Sequence, residues 1–99
     1  MFRRAIFLQY LFLAMLAGCA TSPPVQEMSD ARQAITAAEE AEAATSAPEM
    51  LGEARRFLAQ AERALRDESY GSARINAVRA KNRAVAALEI AEATRVQPN

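Results

Sequence analysis

Apolar residues form one near-continuous run at the start of the chain and then recur at helical spacing to its end. The run covers Ala5 to Leu16, with Gln9 and Tyr10 inside it. Further on, apolar positions fall three and four apart, the mark of amphipathic helices. Ala31, Ala34, Ile35, Ala38 and Ala41 predict a first helix from Ser29 to about Ala44, with Ser29 as N-cap and Asp30 in the first turn. Only Ile35 on that face is large, so this helix is expected to add least to the core. Thr45-Ser46-Ala47-Pro48-Glu49 is the clearest break, where Ser46 and Glu49 have capping-box spacing and Pro48 suits a first turn. The second helix is predicted from about Ala47 to Asp67. Met50, Leu51, Ala54, Phe57, Leu58, Ala61, Ala64 and Leu65 make one stripe, and Arg55, Arg56, Glu62, Arg63 and Arg66 make the other. Glu62 and Arg66 add an i,i+4 pair in the favourable order. A turn at Asp67–Gly71 leads to a third helix from Tyr70 to about Thr94. Its main face is Tyr70, Ala73, Ala77, Ala84, Leu88 and Ala91, flanked by Val78 and Val85. The expected fold is all-α. It is either a short three-helix antiparallel, up-down-up bundle or a helical hairpin plus an N-terminal helix, spanning 29–94, with 95–99 as a fraying tail.

Composition narrows the chemistry. The chain has 99 residues, 12 Lys and Arg against 12 Asp and Glu, no His, no Trp and a single Cys. A chain of this length is one domain at most, with a modest core. Alanine dominates after residue 28. It is the strongest helix former and leaves little side chain to bury, so stability is expected to be marginal and open to help from a partner or from self-association. Without His the usual general base and the commonest metal ligand are missing. No nucleophile–base arrangement, phosphate loop, metal spacing or dinucleotide fingerprint appears. The expectation is no enzyme, no metal, no cofactor, no small-molecule substrate and no nucleic-acid partner.

The N-terminal run has a meaning of its own. Arg3 and Arg4 precede it, and Leu16-Ala17-Gly18-Cys19 closes it. About twenty apolar residues are needed to span a bilayer, so the run is too short for a permanent span and has the shape of a secretory signal. A lone Cys is otherwise a small buried hydrophobe or an unpaired thiol. The order of positive, apolar and small residues ending in Cys resembles a bacterial lipoprotein signal peptide with its lipobox. That resemblance implies cleavage between Gly18 and Cys19 and a covalent lipid on Cys19, with 1–18 as the signal peptide. Several acyl chains on one residue exceed the threshold for stable anchoring. Ala20 stands where Asp would retain such a lipoprotein in the inner membrane, which favours the outer membrane, facing the periplasm, in a Gram-negative source. Cleavage would also remove two arginines and leave the mature chain slightly acidic. Residues 19–28, with Pro23-Pro24, read as the lipidated Cys and an extended tether.

Ser29–Ile35, Ala47-Pro48-Glu49, Ala54–Glu62 and Tyr70 with Ala73-Arg74, taken in order, resemble family 4398 of the domains of unknown function. The resemblance covers roughly residues 19–93. It implies a short bacterial lipoprotein with a helical domain. Some relatives carry a C-terminal peptidoglycan-binding domain similar to that of outer-membrane protein A, and the present sequence stops without one. The resemblance implies no activity.

The third helix holds the features that bear on function. Arg74, Arg79, Lys81 and Arg83 follow one another with no acid between Glu68 and Glu89. They read as a solvated face balancing Glu39, Glu40 and Glu42, or as a patch for anionic lipid near the membrane. If the first and third helices run parallel, Glu42 and Lys81 are expected at similar heights as an ion pair. Ile75, Ala86 and Ile90 make a second apolar patch away from the main face. The patch is either a partner or self-association surface or a set of scattered surface residues. Ile75, Arg79, Arg83 and Ile90 are therefore the candidate partner-binding residues. The expected function is a lipid-anchored structural or adaptor protein docking on another envelope protein, the alternative being a small module for anionic lipid or cell-wall fragments.

Overall fold

A computed structural model of the chain describes residues 3–10 and 22–96. Residues 3–10 are helical (α1) and solvent-exposed throughout. Four further helices follow: α2 (Val25–Glu40), α3 (Ala43–Ser46), α4 (Pro48–Arg66) and α5 (Tyr70–Val96). Among the described residues there is no strand, and the all-α class expected from the sequence is the class of the structure. No helix among them is long and apolar enough to cross a membrane.

The longest helix is also the middle one. α5 lies along both α2 and α4, which touch each other far less. Its buried residues are all alanine, with Leu88 packed half-buried beside them. Ala73, Ala77, Ala80, Ala84, Ala87 and Ala91 are all buried, alternately four and three residues apart. That 3.5-residue period keeps one seam facing the same neighbours along the helix. Side chains this short let helix backbones approach closely. They also mean that each contact buries little apolar area, at roughly 25 cal/mol per Å².

Cross-helix pairs fix the run of the chain. Met28 of α2, Ala61 of α4 and Ala77 of α5 share one cluster. Ile35, Leu51, Ala54 and Ala84 belong to a second, which extends to Ala41, Ala43, Ala47, Ala87 and Ala91. Rising numbers on α2 thus match rising numbers on α5 and falling numbers on α4. Ion pairs agree: Arg32 with Glu62 at 3.7 Å, Arg55 with Glu39 at 3.5 Å, Arg83 with Glu53 at 2.9 Å and Arg74 with Glu27 at 3.3 Å.

Several local expectations are corrected. The first helix begins at Val25, so the reading of 19–28 as tether fails from there on. Pro24 holds the N-cap with φ −81°, its carbonyl accepts the Met28 N–H at 3.0 Å, and its ring is buried. Burial of Met28 at the same end draws this segment into the bundle. Ser29 is then an interior residue that accepts from Gln33 Nε2 at 3.4 Å. With Met28 and Ile35 both buried, α2 is no minor contributor, for Leu51 is the one large buried side chain of α4.

That helix also stops at Glu40 rather than Ala44. Glu42 takes the left-handed conformation at φ 64°, and α3 adds one short turn that buries Ala43. The capping box does not form. Ser46 donates its hydroxyl to the Glu42 carbonyl at 3.2 Å, and Ala47 is the N-cap of α4 with no side-chain bond. Pro48 is the cause: the residue before a proline is steered out of the helical region, which puts the break at Ala47 and Pro48 at the helix start. Glu62 pairs with Arg32 of α2 and makes no pair with Arg66. Arg95 and Val96 continue α5, whereas the rest of the expected tail, 97–99, lies outside the described residues.

Candidate docking surface

Helical geometry turns about 100° per residue, so the alanine seam of α5 leaves a definite back. Ile75, Val78, Asn82, Val85, Ala86 and Glu89 lie on it, with Ile90 and Arg79 at its edge toward α4. The large apolar side chains there stay open to solvent: Ile75 is 53 % exposed, Val78 42 %, Ile90 41 % and Val85 36 %. Each could have been covered had α5 turned differently. The bundle instead spends the alanine side of α5 on its neighbours and leaves the branched aliphatic side outward.

The candidate residues divide into two kinds. Ile75 stands exposed on the back of α5 and Ile90 stands exposed at its edge toward α4. Arg79 and Arg83 are turned toward α4. The Arg79 guanidinium sits 5.9 Å from the Phe57 ring centroid, and Arg83 Nε donates to Glu53 Oε2 at 2.9 Å. Both line a shallow groove with Phe57 and Asn82, and Arg83 also lines a second one with Glu53, Arg56, Phe57 and Gln60. Gly18 and Cys19, the candidate cleavage and lipidation positions, lie outside the described residues.

Val78 and Val85 extend the surface beyond what the pattern suggested. They were expected to flank the buried face, yet both are exposed. Ala80 and Ala87 take the inner positions instead. The strict alanine spacing is the signal that separates the two faces, since apolar residues occur on both.

The other basic residues of α5 complete the electrostatics. Arg74 is about one-third exposed, pairs with Glu27 Oε1, and donates from Nη2 to the Ser22 carbonyl at 3.2 Å. It thereby ties the start of the described segment to the base of α5. The expected pair of Glu42 with Lys81 is not formed. The helices do run parallel, but their register sets Glu27 beside Arg74, which carries Glu42 to the level of about Glu89. At 1.5 Å rise per residue, Lys81 then lies roughly 12 Å short of it along the axis. Of the basic run, three arginines therefore engage other helices, and the acids that take them are Glu27 and Glu53, with Phe57, rather than Glu39, Glu40 and Glu42.

Among the described residues no polar or charged side chain is buried, and no group of three or more His, Cys, Asp or Glu is placed to hold a metal ion. A family described as Domain of unknown function (DUF4398) matches residues 26–97. The chain belongs to this family. The DUF4398 match takes in nearly all of α2 and the whole of α3, α4 and α5, so the bundle and the exposed back of α5 both lie inside it. No curated protein and no solved structure matches the chain.

Proposed function

We propose that this DUF4398 chain is a lipid-anchored lipoprotein of the bacterial envelope whose helical domain is a structural or adaptor module. In this reading Cys19 carries the lipid after cleavage behind Gly18, and the domain sits at the outer membrane facing the periplasm. The support for the anchor is the sequence Leu16-Ala17-Gly18-Cys19 behind a charged and apolar start. The domain docks on another protein of the envelope through the outward face of α5. The observation that carries the docking role is the row of Ile75, Val78, Val85 and Ile90, each more than a third exposed on a helix whose opposite face is closed by alanine. Large apolar side chains gathered in the open on one side of a helix are candidates for an interaction site. Engagement of Arg74, Arg79 and Arg83 by α2 and α4 weighs against a lipid-headgroup role for the same helix.

The test has two arms in cells. Cys19→Ala should move the protein out of the membrane fraction and abolish its labelling by a fatty-acid probe. A photo-reactive side chain at Ile75, Arg79 or Ile90 should give a discrete crosslink to a protein. Normal membrane attachment of Cys19→Ala would overturn the anchor, and absence of any protein crosslink at all three positions would overturn the docking role.

A further inference from the structure

The chain enters the bundle at one end and is held there. Arg74 Nη2 donates to the Ser22 carbonyl at 3.2 Å, the Pro23 carbonyl accepts the Val25 N–H at 2.9 Å, and the Pro24 ring is buried. Cys19 stands three residues before Ser22. A chain gains at most ~3.6 Å per residue, so the two α-carbons lie within about 11 Å of each other whatever path joins them. The same end of the bundle holds the last turn of α4 and the first turn of α5. Val25, Arg63 and Arg66 are exposed there, and Arg63, Arg66 and Arg74 balance Glu27, Asp67 and Glu68. The opposite end is acidic. The register that sets Glu27 beside Arg74 and Glu53 beside Arg83 brings Glu40, Glu42 and Glu49 to the level of Glu89. These four and Glu92 are exposed and enter none of the ion pairs among the described residues, and Arg95 is the cation at their level.

Resting on the reading of Cys19 as the lipid anchor, we infer that the bundle meets the membrane end-on, with the α4–α5 turn against anionic lipid headgroups and the acidic end pointing away. A leash of about 11 Å is no longer than one helix is wide, so the entry end cannot leave the lipid surface. Once it is there, charge sets the tilt. An anionic surface repels the exposed glutamates of the far end if they come within about a Debye length, ~10 Å. Arg63 and Arg66 can reach headgroup phosphates from the near end, and Val25 presents an apolar side chain to the interface. The 27 residues of α5 then rise roughly 40 Å from the membrane. An extended tether through residue 28 would have let the domain roam. Docking of Ser22 and Pro24 onto the bundle turns the same stretch of sequence into a fixed mount.

The test uses the full chain, purified from membranes in mild detergent and returned to vesicles of phosphatidylethanolamine with phosphatidylglycerol. A fluorophore is attached to Gly71→Cys in one preparation and to Ala93→Cys in another. Both positions are exposed, and a Cβ at Gly71 meets nothing within 4 Å. They lie roughly 33 Å apart along α5. Lipids with a nitroxide on the headgroup should quench the Gly71 label about threefold more than the Ala93 label, since only the first lies within a helix diameter or so of the surface. Insertion of about ten Gly and Ser residues between Ala20 and Thr21 lengthens the leash and should bring that ratio toward one. Equal quenching at the two positions, stronger quenching at Ala93, or a ratio that the insertion leaves unchanged would overturn the end-on arrangement and leave the anchor standing. A purified chain that carries no lipid and does not join the vesicles would overturn the anchor and the arrangement together.

Discussion

Replacing Ala84 with leucine asks whether the alanine seam is tight or merely apolar. Ala84 is wholly buried in the cluster that joins Ile35 of α2 to Leu51 and Ala54 of α4. On transfer free energy alone the added carbons would stabilise, since fully burying a leucine side chain is worth about 1.5–3 kcal/mol. Packing opposes this. Interiors are filled to crystal-like density, and extra methylenes forced into them cost about 1–3 kcal/mol. Here the larger side chain meets α2 on one side and α4 on the other, so both helices must yield and lose neighbouring alanine contacts. The cost should therefore reach the upper part of that range, ~2–3 kcal/mol beyond whatever burial returns. A domain of this size holds ~4–11 kcal/mol in all, and each kcal/mol moves its Tm by about 4–8 °C. Thermal melting followed by far-ultraviolet circular dichroism should show Ala84→Leu lowered by ~8–24 °C. Asn82→Leu, on the outward face, should stay within about 0.5 kcal/mol of the parent. A Tm for Ala84→Leu at or above the parent would refute the reasoning, because it would mean that the seam has slack for a leucine.

Three other substitutions follow from particular residues. A Cβ built on Gly52, inside α4, meets nothing within 4 Å, so Gly52→Ala should raise stability by about 1 kcal/mol in chemical denaturation, and any loss would show that the site is not open. Glu68 holds φ 59° at the end of α4, where its N–H donates to the Leu65 carbonyl and that of Ser69 to the Ala64 carbonyl. This is a Schellman turn with glutamate where glycine is usual, so Glu68→Gly should gain ~0.5–1 kcal/mol in the same assay, and a drop would refute the strain argument. Arg74→Ala should cost under ~1 kcal/mol globally, because its pair with Glu27 is partly exposed, yet it should speed amide exchange at Met28 by releasing the segment from Ser22 onward. Unchanged exchange there would show that Arg74 does not hold the segment.

Much of the fold was legible because helix formation here is a local property. The spacing of Leu51, Ala54, Phe57, Leu58 and Ala61 against the arginines placed α4 to within one residue at each end. Pro48 marked the α3–α4 break as clearly as any residue can. What failed was decided by neighbours distant in sequence. Nothing local announces that Pro24 and Met28 are buried, and the proline pair reads as an extended tether until Ala61 and Ala77 are known to lie beside Met28. Glu42 offers no glycine or asparagine to mark its left-handed turn. On α5 the difficulty was contrast. Alanine occurs on several sides of that helix and the larger Val and Ile lie mostly outward, so hydrophobicity could not choose the inner face. Ile75 and Ile90 were found as an outlying patch, whereas Val78 and Val85 were drawn toward the core because valine is the larger hydrophobe.

That inversion of size and burial on α5 links the fold to the function proposed for it. A helix that turned its valines and isoleucines inward would gain more apolar burial per residue but would hold its neighbours farther apart. α5 instead keeps alanine toward α2 and α4, which allows close approach at little gain per contact. Its own helical propensity supplies much of what the contacts do not. The apolar area that the bundle forgoes is then still available at the outward face, where it can contribute to association rather than to folding. Coupling follows: anything that covers the outward face binds the folded chain alone and therefore adds to its stability in proportion to its concentration. A partner that covers this face should accordingly raise the Tm of the chain when added, and an unchanged Tm on binding would refute the coupling.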